Sequence, residues 1–334
     1  MSTIKDVAKE AGVSIATVSR VINKSPQASQ AAIKSVTEAM GKLGYRPNAA
    51  AKALVSQNTN TVGVLVGDVS DPFFGSLIKA IDTVAHKHGK HTLIGNGHHD
   101  EKQEREAIEL LINNRCDAFV IHSKALPDEE LIAYANEVKS MVLINRHIDA
   151  IADRCISLDN FKGAYLATQY LIRHGHTKIA YASSNHDIED TAERIEGYKA
   201  ALRDNGIELP VSYIDYGSPS GEGGEEAMTN LLTKSVDMTG IVCYNDNMAA
   251  GILSMAHDNG IAVPEKLSII GFDDVLIARY VYPRLTTVRY PIEMMAEKAI
   301  TLALKLANDE YVEPEQLRFS PTVVRRESVV KLVE

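Results

Sequence analysis

Asp71, His122, Asn145, Arg194, Asn245 and Asp273 are the side chains of this 334-residue sequence whose types suit a small polyhydroxy ligand. Amide, carboxylate, imidazole and guanidinium groups together supply donors and acceptors, which is what several ligand hydroxyls need and an anion does not. All but Arg194 follow directly on a short apolar run, in DVSDPFF (68–74), at His122, and in NR (145–146), ND (245–246) and DD (273–274). A strand-end Asp or Asn also makes a good helix cap. Asp71 is open to both roles, and Asp246 is assigned to the cap.

The elements that must position these residues come next. Val62–Val66, Thr92–Ile94, Ala118–Ile121, Val142–Ile144, Lys178–Tyr181, Tyr213–Tyr216, Gly240–Tyr244 and Ser268–Phe272 read as strands. Amphipathic helices lie between them, among them Phe73–His88, Gln103–Asn113, Gly163–His174, Thr191–Asn205 and Met248–Asn259. Such alternation predicts parallel α/β sheets, whose ligands bind beyond the carboxyl ends of the strands. One open sheet of so many strands is uncommon, so the body divides into two doubly wound halves near Asp159.

The N-terminus carries a different chemistry. In TIKDVAKEAGVSIATVSRVIN, residues 3–23, Ile4, Val7, Ala8 and Ala11 recur at helical spacing behind a Thr3/Asp6 capping box. Gly12 supplies the turn and Ser14 caps a second helix. Val18, Val21 and Ile22 face inward there, while Ile15, Ala16, Ser19 and Arg20 share the outer face. This is a helix-turn-helix whose second helix reads DNA. Ile15 and Ala16 suit apolar contact with bases and Arg20 suits guanine; Ser14, Thr17, Ser19 and Asn23 suit phosphates. A third helix, Ala28–Leu43, presents Ile33, Val36, Met40 and Leu43 on one face. Residues 1–58 hold eight Lys/Arg against three acids, +5 in a chain of net charge −9. That asymmetry suits one region meeting phosphates. The Ala-rich segment 49–55 is too short to be helical without a partner, and by pattern alone is a tether.

The segment 3–23 resembles the headpiece signature of the lactose/galactose repressor family of bacterial transcription regulators. VGDVSDPFFG, LIGNGHHDEKQER and MVLINR resemble that family's galactose branch, and the likeness runs from Ser2 to about Ser328. The resemblance implies an N-terminal all-α helix-turn-helix headpiece, 1–58, with a hinge helix at 49–55. An α/β two-lobed periplasmic-binding-protein-like domain of two doubly wound parallel sheets would fill 60–334. Its first lobe would take about 60–159 and 290–320, and its second about 160–289 and 321–334. Leu54, with Ala51 beside it, becomes a minor-groove wedge.

Motif by motif, the resemblance puts Asn145, Arg194, Asn245 and Asp273 on hydroxyl-binding positions, with Asp71, Phe73 and His122 in the lining. Related repressors often place an aromatic after the Tyr213 strand, where this chain has Ser218-Pro219-Ser220. A purine ligand is thereby disfavoured, and Tyr290 is the substitute ring. The implied partners are double-stranded operator DNA, D-galactose or a related small sugar as effector, and a second copy of the chain. A different sugar, a nucleoside or a corepressor is the alternative effector. The end ESVVKLVE holds no sustained heptads, so a dimer is expected.

Composition narrows the remaining classes. With 45% hydrophobic and 24% charged residues the chain reads as globular. It has no long apolar run and no signal-peptide core, so no membrane association and a cytoplasmic location are expected. Cys116, Cys155 and Cys243 show no metal or redox spacing and read as reduced thiols. Phosphate-loop, nucleophile-elbow and dinucleotide motifs are lacking; Gly95-Asn96-Gly97-His98-His99 misses the third glycine. No enzyme activity, catalytic residue or cofactor is expected. His86, His88, His91, His98 and His99 have no regular ligand spacing and read as solvated surface residues, not as a metal site.

Overall fold

The computed structural model describes residues 2–23, 25–46, 59–311 and 317–332. It forms two compact units, Met1–Thr59 and Asn60–Glu334. The hinge segment 49–55, with Ala51 and Leu54, lies outside the described residues.

In the N-terminal unit α1 (Ile4–Ala11), α2 (Ile15–Ile22) and α3 (Gln30–Leu43) enclose Val7, Ala8, Val18, Val36 and Ala39. The capping box is formed: the Thr3 amide donates to Asp6 Oδ2 at 2.8 Å. These hydrogen bonds hold the Asp6 carboxyl below its ordinary pKa. Gly12 turns the chain at φ +64°, and Ser14 Oγ accepts the Thr17 amide at 3.1 Å to open α2. The third helix starts at Gln30 instead of Ala28 because Ser29 Oγ caps it through the Ala32 amide at 3.2 Å. Its buried face is Ala32, Val36 and Ala39, which leaves Ile33 38% exposed on the shoulder, not inward.

The second unit holds two six-stranded sheets. The first contains β1 (Thr61–Val66), β2 (His91–Asn96), β3 (Ala118–Ile121), β4 (Met141–Ile144), β5 (Cys155–Leu158) and β11 (Arg318–Phe319), in the order β11-β5-β4-β3-β1-β2. The second contains β6 (Ile179–Ser184), β7 (Ile214–Gly217), β8 (Gly240–Cys243), β9 (Ser268–Asp273), β10 (Thr286–Arg289) and β12 (Thr322–Val324), in the order β12-β10-β9-β8-β6-β7. Neighbours are parallel except β12, which runs antiparallel to β10 and so departs from a wholly parallel sheet.

Helices α4 (Pro72–Lys87), α5 (Glu101–Asn113) and α6 (Asp128–Glu137) accompany the first sheet. Helices α7 (Asn160–Arg173), α8 (Glu189–Asp204), α9 (Gly221–Thr233), α10 (Asp246–Asp258) and α11 (Ile277–Tyr280) accompany the second. The chain then returns through α12 (Ile292–Ala307), which packs on α4, β3 and β4 of the first sheet. It crosses between the sheets three times: from β5 into α7, from β10 into α12, and between β11 and β12. At the first crossing Asp159 Oδ1 accepts the Lys162 amide at 2.9 Å and so starts α7. Among the described residues no helix is long and apolar enough to cross a membrane.

Gly197 fixes a close helix contact of the second lobe. A Cβ there would stand 2.1 Å from the Phe161 carbonyl oxygen of α7. The glycine sets the spacing of α7 and α8, and with it the 2.9 Å hydrogen bond from Arg194 Nε to Asn160 Oδ1. Gly197→Ala is expected to destabilise this unit by about 1–3 kcal/mol, since backbone cannot yield as a side chain does. Thermal unfolding checks this; an unchanged midpoint would show that the helices part freely.

Candidate functional site

The carboxyl ends of the strands in both sheets face one cavity of about 470 Å³, counting its mouth. Asp71, Phe73, His122, Asn145, Arg194, Asn245 and Asp273 all line it. Backbone reversals aim two of them: Asn145 has φ +59°, a left-handed conformation that Asn tolerates, and Asp273 has φ +108°, which is less common for a residue with a β-carbon. Asp71 both caps and lines. Its Oδ1 accepts the Phe73 amide at 2.9 Å, and burial raises its pKa. Burial likewise pushes the Asp273 carboxyl well above the ordinary range, with Arg194 Nη2 3.9 Å away as a partial counterweight.

Arg194 is held from every side. Nε donates to Asn160 Oδ1, Nη1 donates to the Tyr244 carbonyl at 2.6 Å, and the guanidinium lies 3.7 Å over the Phe272 ring and 4.5 Å over that of Tyr244. Asn245 caps α10, its Oδ1 accepting the Met248 amide at 2.8 Å while Nδ2 donates to the Pro219 carbonyl at 2.8 Å. That corrects the assignment of Asp246 as the cap. Asp246 is wholly buried, accepts from Thr287 Oγ1 at 2.6 Å and from the Val275 amide at 2.9 Å, and ties α10 to the ends of β9 and β10. Burial moves its pKa up to about 7.

Tyr290 lies one layer deeper than a stacking ring. It is 2% exposed, its hydroxyl donates to Asn145 Oδ1, and Phe73 packs edge-on against it at 5.0 Å between ring centres. It presents no face to the cavity and instead orients Asn145.

Sequence reasoning missed residues that the fold brings to the same place. Asp190 on α8 is buried. Its Oδ2 accepts from Asn145 Nδ2 at 2.9 Å, and its Oδ1 accepts from Asn160 Nδ2 at 3.1 Å and from Lys124 Nζ at 2.7 Å. Burial works to raise its pKa, but Lys124 and Arg194 outweigh that and hold the carboxyl below its ordinary value. Helix position hid Asp190, which reads as one more acid in a first turn. His99 and His186, with Phe74, Ile188, Pro219 and Tyr244, complete the lining. The expectation of solvated surface fails for His99: φ +52° turns it inward, 5.7 Å from the His122 ring and 5.2 Å from that of His186.

In the N-terminal unit Ile15, Ala16 and Arg20 are exposed on one side of α2, with Ser14 and Asn23 exposed at its ends. Thr17 and Ser19 are half-buried. The Ser14 and Thr17 hydroxyls lie 2.9 Å apart, and Asn23 Nδ2 donates to Ser19 Oγ at 3.4 Å.

Among known proteins, residues 3–48 match the model of bacterial regulatory proteins of the lacI family, and residues 168–329 match the periplasmic binding protein-like domain. The chain is 54% identical over 329 residues to the HTH-type transcriptional regulator GalR of Escherichia coli (strain K12), covering 98% of this chain and 96% of the relative. It is 52% identical over 329 residues to the HTH-type transcriptional regulator GalS of Salmonella typhimurium (strain LT2), covering 98% and 97%. The solved complex of the transcriptional regulator CelR with cellobiose is similar at a TM-score of 0.71 and 28% identity, covering 98% of this chain and 100% of that one.

The cleft histidines give a pH signature. Burial, then the neighbouring His186, lowers the His99 pKa to about 4, while an unfolded chain titrates near 6.5. Between those values the unfolded state binds the extra proton, so this contribution is full above about 6.5 and lost as pH falls toward 4. The stability advantage of wild type over His99→Gln is therefore expected to shrink across that window. Denaturant titrations at pH 7 and 4.5 check it; a constant difference would place His99 in water.

Proposed function

Because the chain belongs to the lacI family of bacterial regulatory proteins, we propose that it is a sequence-specific repressor whose hold on a pseudo-palindromic operator is relieved by a small neutral sugar of the galactose type. The protein is a transcription regulator and not an enzyme. The observation that carries the effector reading is the polar lining of one cavity between the two sheets. Three acidic side chains, Asp71, Asp190 and Asp273, against Lys124 and Arg194 disfavour an anion; Asp71 and Asp273 accept hydroxyl donors, while Asn145 and Asn245 add both donors and acceptors. Phe73 and Phe74 offer an apolar wall for the C–H face of a sugar ring. Asn145, Arg194, Asn245, Asp273, Asp71, Phe73 and His122 are the proposed ligand contacts, with Tyr290 acting through Asn145.

On the DNA side, Ile15, Ala16 and Arg20 read base edges and Ser14, Thr17, Ser19 and Asn23 meet phosphates. The body is 60–334 and the headpiece 1–58, with Ala51 and Leu54 of the hinge as the minor-groove wedge. The partner is a second copy of the chain, so that two recognition helices meet two half-sites. Leu276 (64% exposed), Tyr280 (79%), Tyr282 (89%) and Met294 (63%) supply apolar surface of the kind such an interface covers. The protein acts in the cytoplasm, where a bacterial operator lies. Sugar closes the lobes, and operator affinity falls by a coupling of about 1–3 kcal/mol.

Anisotropy of a labelled galactose-operator duplex, titrated with protein with and without D-galactose, tests the reading. Tight, salt-sensitive binding relieved by galactose is the expected result, and binding that ignores galactose would remove the effector. Arg20→Ala is expected to weaken operator binding by about 1–3 kcal/mol and relax one base position. Arg194→Ala is expected to abolish the galactose response and spare operator binding; a surviving response would move the effector out of this cavity.

A further inference from the structure

A second set of residues, outside the proposed ligand contacts, bonds across the two lobes, and its role rests on the reading of this cavity as the effector site. Lys124 follows β3 of the first sheet, whereas Asp190 sits on α8 beside the second. Their side chains are only 2% and 6% exposed, with Nζ 2.7 Å from Oδ1. The same Lys124 Nζ donates to the backbone carbonyl of Asn145, and the other Asp190 oxygen accepts from the Asn145 amide. One ion pair thus closes across the lobes onto a proposed hydroxyl-binding residue.

Lys124 is placed by Glu104. That carboxylate, 1% exposed on α5, accepts from the Ser123 hydroxyl at 2.5 Å and from the amides of Lys124, Ala125 and Leu126 at 3.0–3.2 Å. Four donors from one turn converge on one carboxylate, so the turn has one conformation and the ammonium one direction.

We propose that Lys124 and Asp190 form an interlobe latch, positioned by Glu104, that sets how much sugar is needed to hold the cleft closed. The physical ground is the asymmetry of buried ion pairs. Parting the lobes returns both charges to water, so the intact pair favours closure only modestly. Removing one partner strands the other inside the closed form and penalises closure alone. Removing both lifts that penalty.

The latch therefore predicts a non-multiplying double variant. Lys124→Met and Asp190→Asn are each expected to raise the galactose concentration for half-release of operator tenfold or more, with sugar-free operator affinity within about threefold of wild type. The double variant is expected to be no worse than the weaker single. Losses that multiply in the double, or an unchanged half-release in Lys124→Met, would overturn the proposal. Glu104→Gln is expected to raise half-release in wild type but to add nothing in Lys124→Met; an equal effect in both backgrounds would remove its positioning role. Small-angle scattering of the sugar-free full chain gives an arm that needs no sugar response. Lys124→Met should expand the body while circular dichroism stays native, and an unchanged profile would contradict the latch. Should wild type ignore galactose, the effector reading fails and the scattering arm alone decides.

Discussion

The Asp190 carboxylate is out of water, and most of the cleft follows from satisfying it. A buried carboxylate must find a countercharge and hydrogen bonds within the protein or lose its ionisation. Here the donors come from both lobes: Lys124 and Asn145 from the first, Asn160 from the second. Asn160 is held in turn by Arg194, and Arg194 by Tyr244 and Phe272, so one charge organises a chain of groups from the turn after β3 to the second sheet. Arg194 is thereby held in one orientation, which would limit the entropy lost if a ligand hydroxyl binds it as proposed.

That arrangement links local structure to control. Each sheet presents its strand ends to the other, and the three chain crossings tie the lobes so that they can rock without separating. A ligand that bonds to residues of both lobes favours the closed form by its differential affinity and by no more than that. Because the cavity wall carries residues from the carboxyl ends of both sheets, a ligand held by one lobe would meet the other only on closure, and those contacts would carry the difference.

Legibility in the sequence followed chemistry more than distance along the chain. Asp71, His122, Asn145, Asn245 and Asp273 could be found because a polar residue after an apolar run marks the carboxyl end of a strand. The headpiece was equally readable, since its caps and turn lie within one short segment. Lys124 and Asp190 were not readable: they lie 66 residues apart, and only tertiary structure tells this loop lysine and first-turn acid from solvated ones. Asn245 and Asp246 are adjacent and both good caps, so which of them caps α10 is invisible to pattern. The strands Cys155–Leu158, Thr286–Arg289, Arg318–Phe319 and Thr322–Val324 are too short to show a period, and long-range pairing defines them. His99 was hidden by polar neighbours, because its inward direction comes from a left-handed backbone turn.

The central claim is that one cavity and one DNA-reading helix are thermodynamically coupled through closure of the lobes. Linkage makes that coupling reciprocal. The most direct measurement is calorimetric titration of galactose into the full-length protein, alone and saturated with operator duplex. Galactose is predicted to bind the operator complex more weakly, by the same factor that galactose weakens operator binding. Equal galactose affinity in the two titrations would contradict the account.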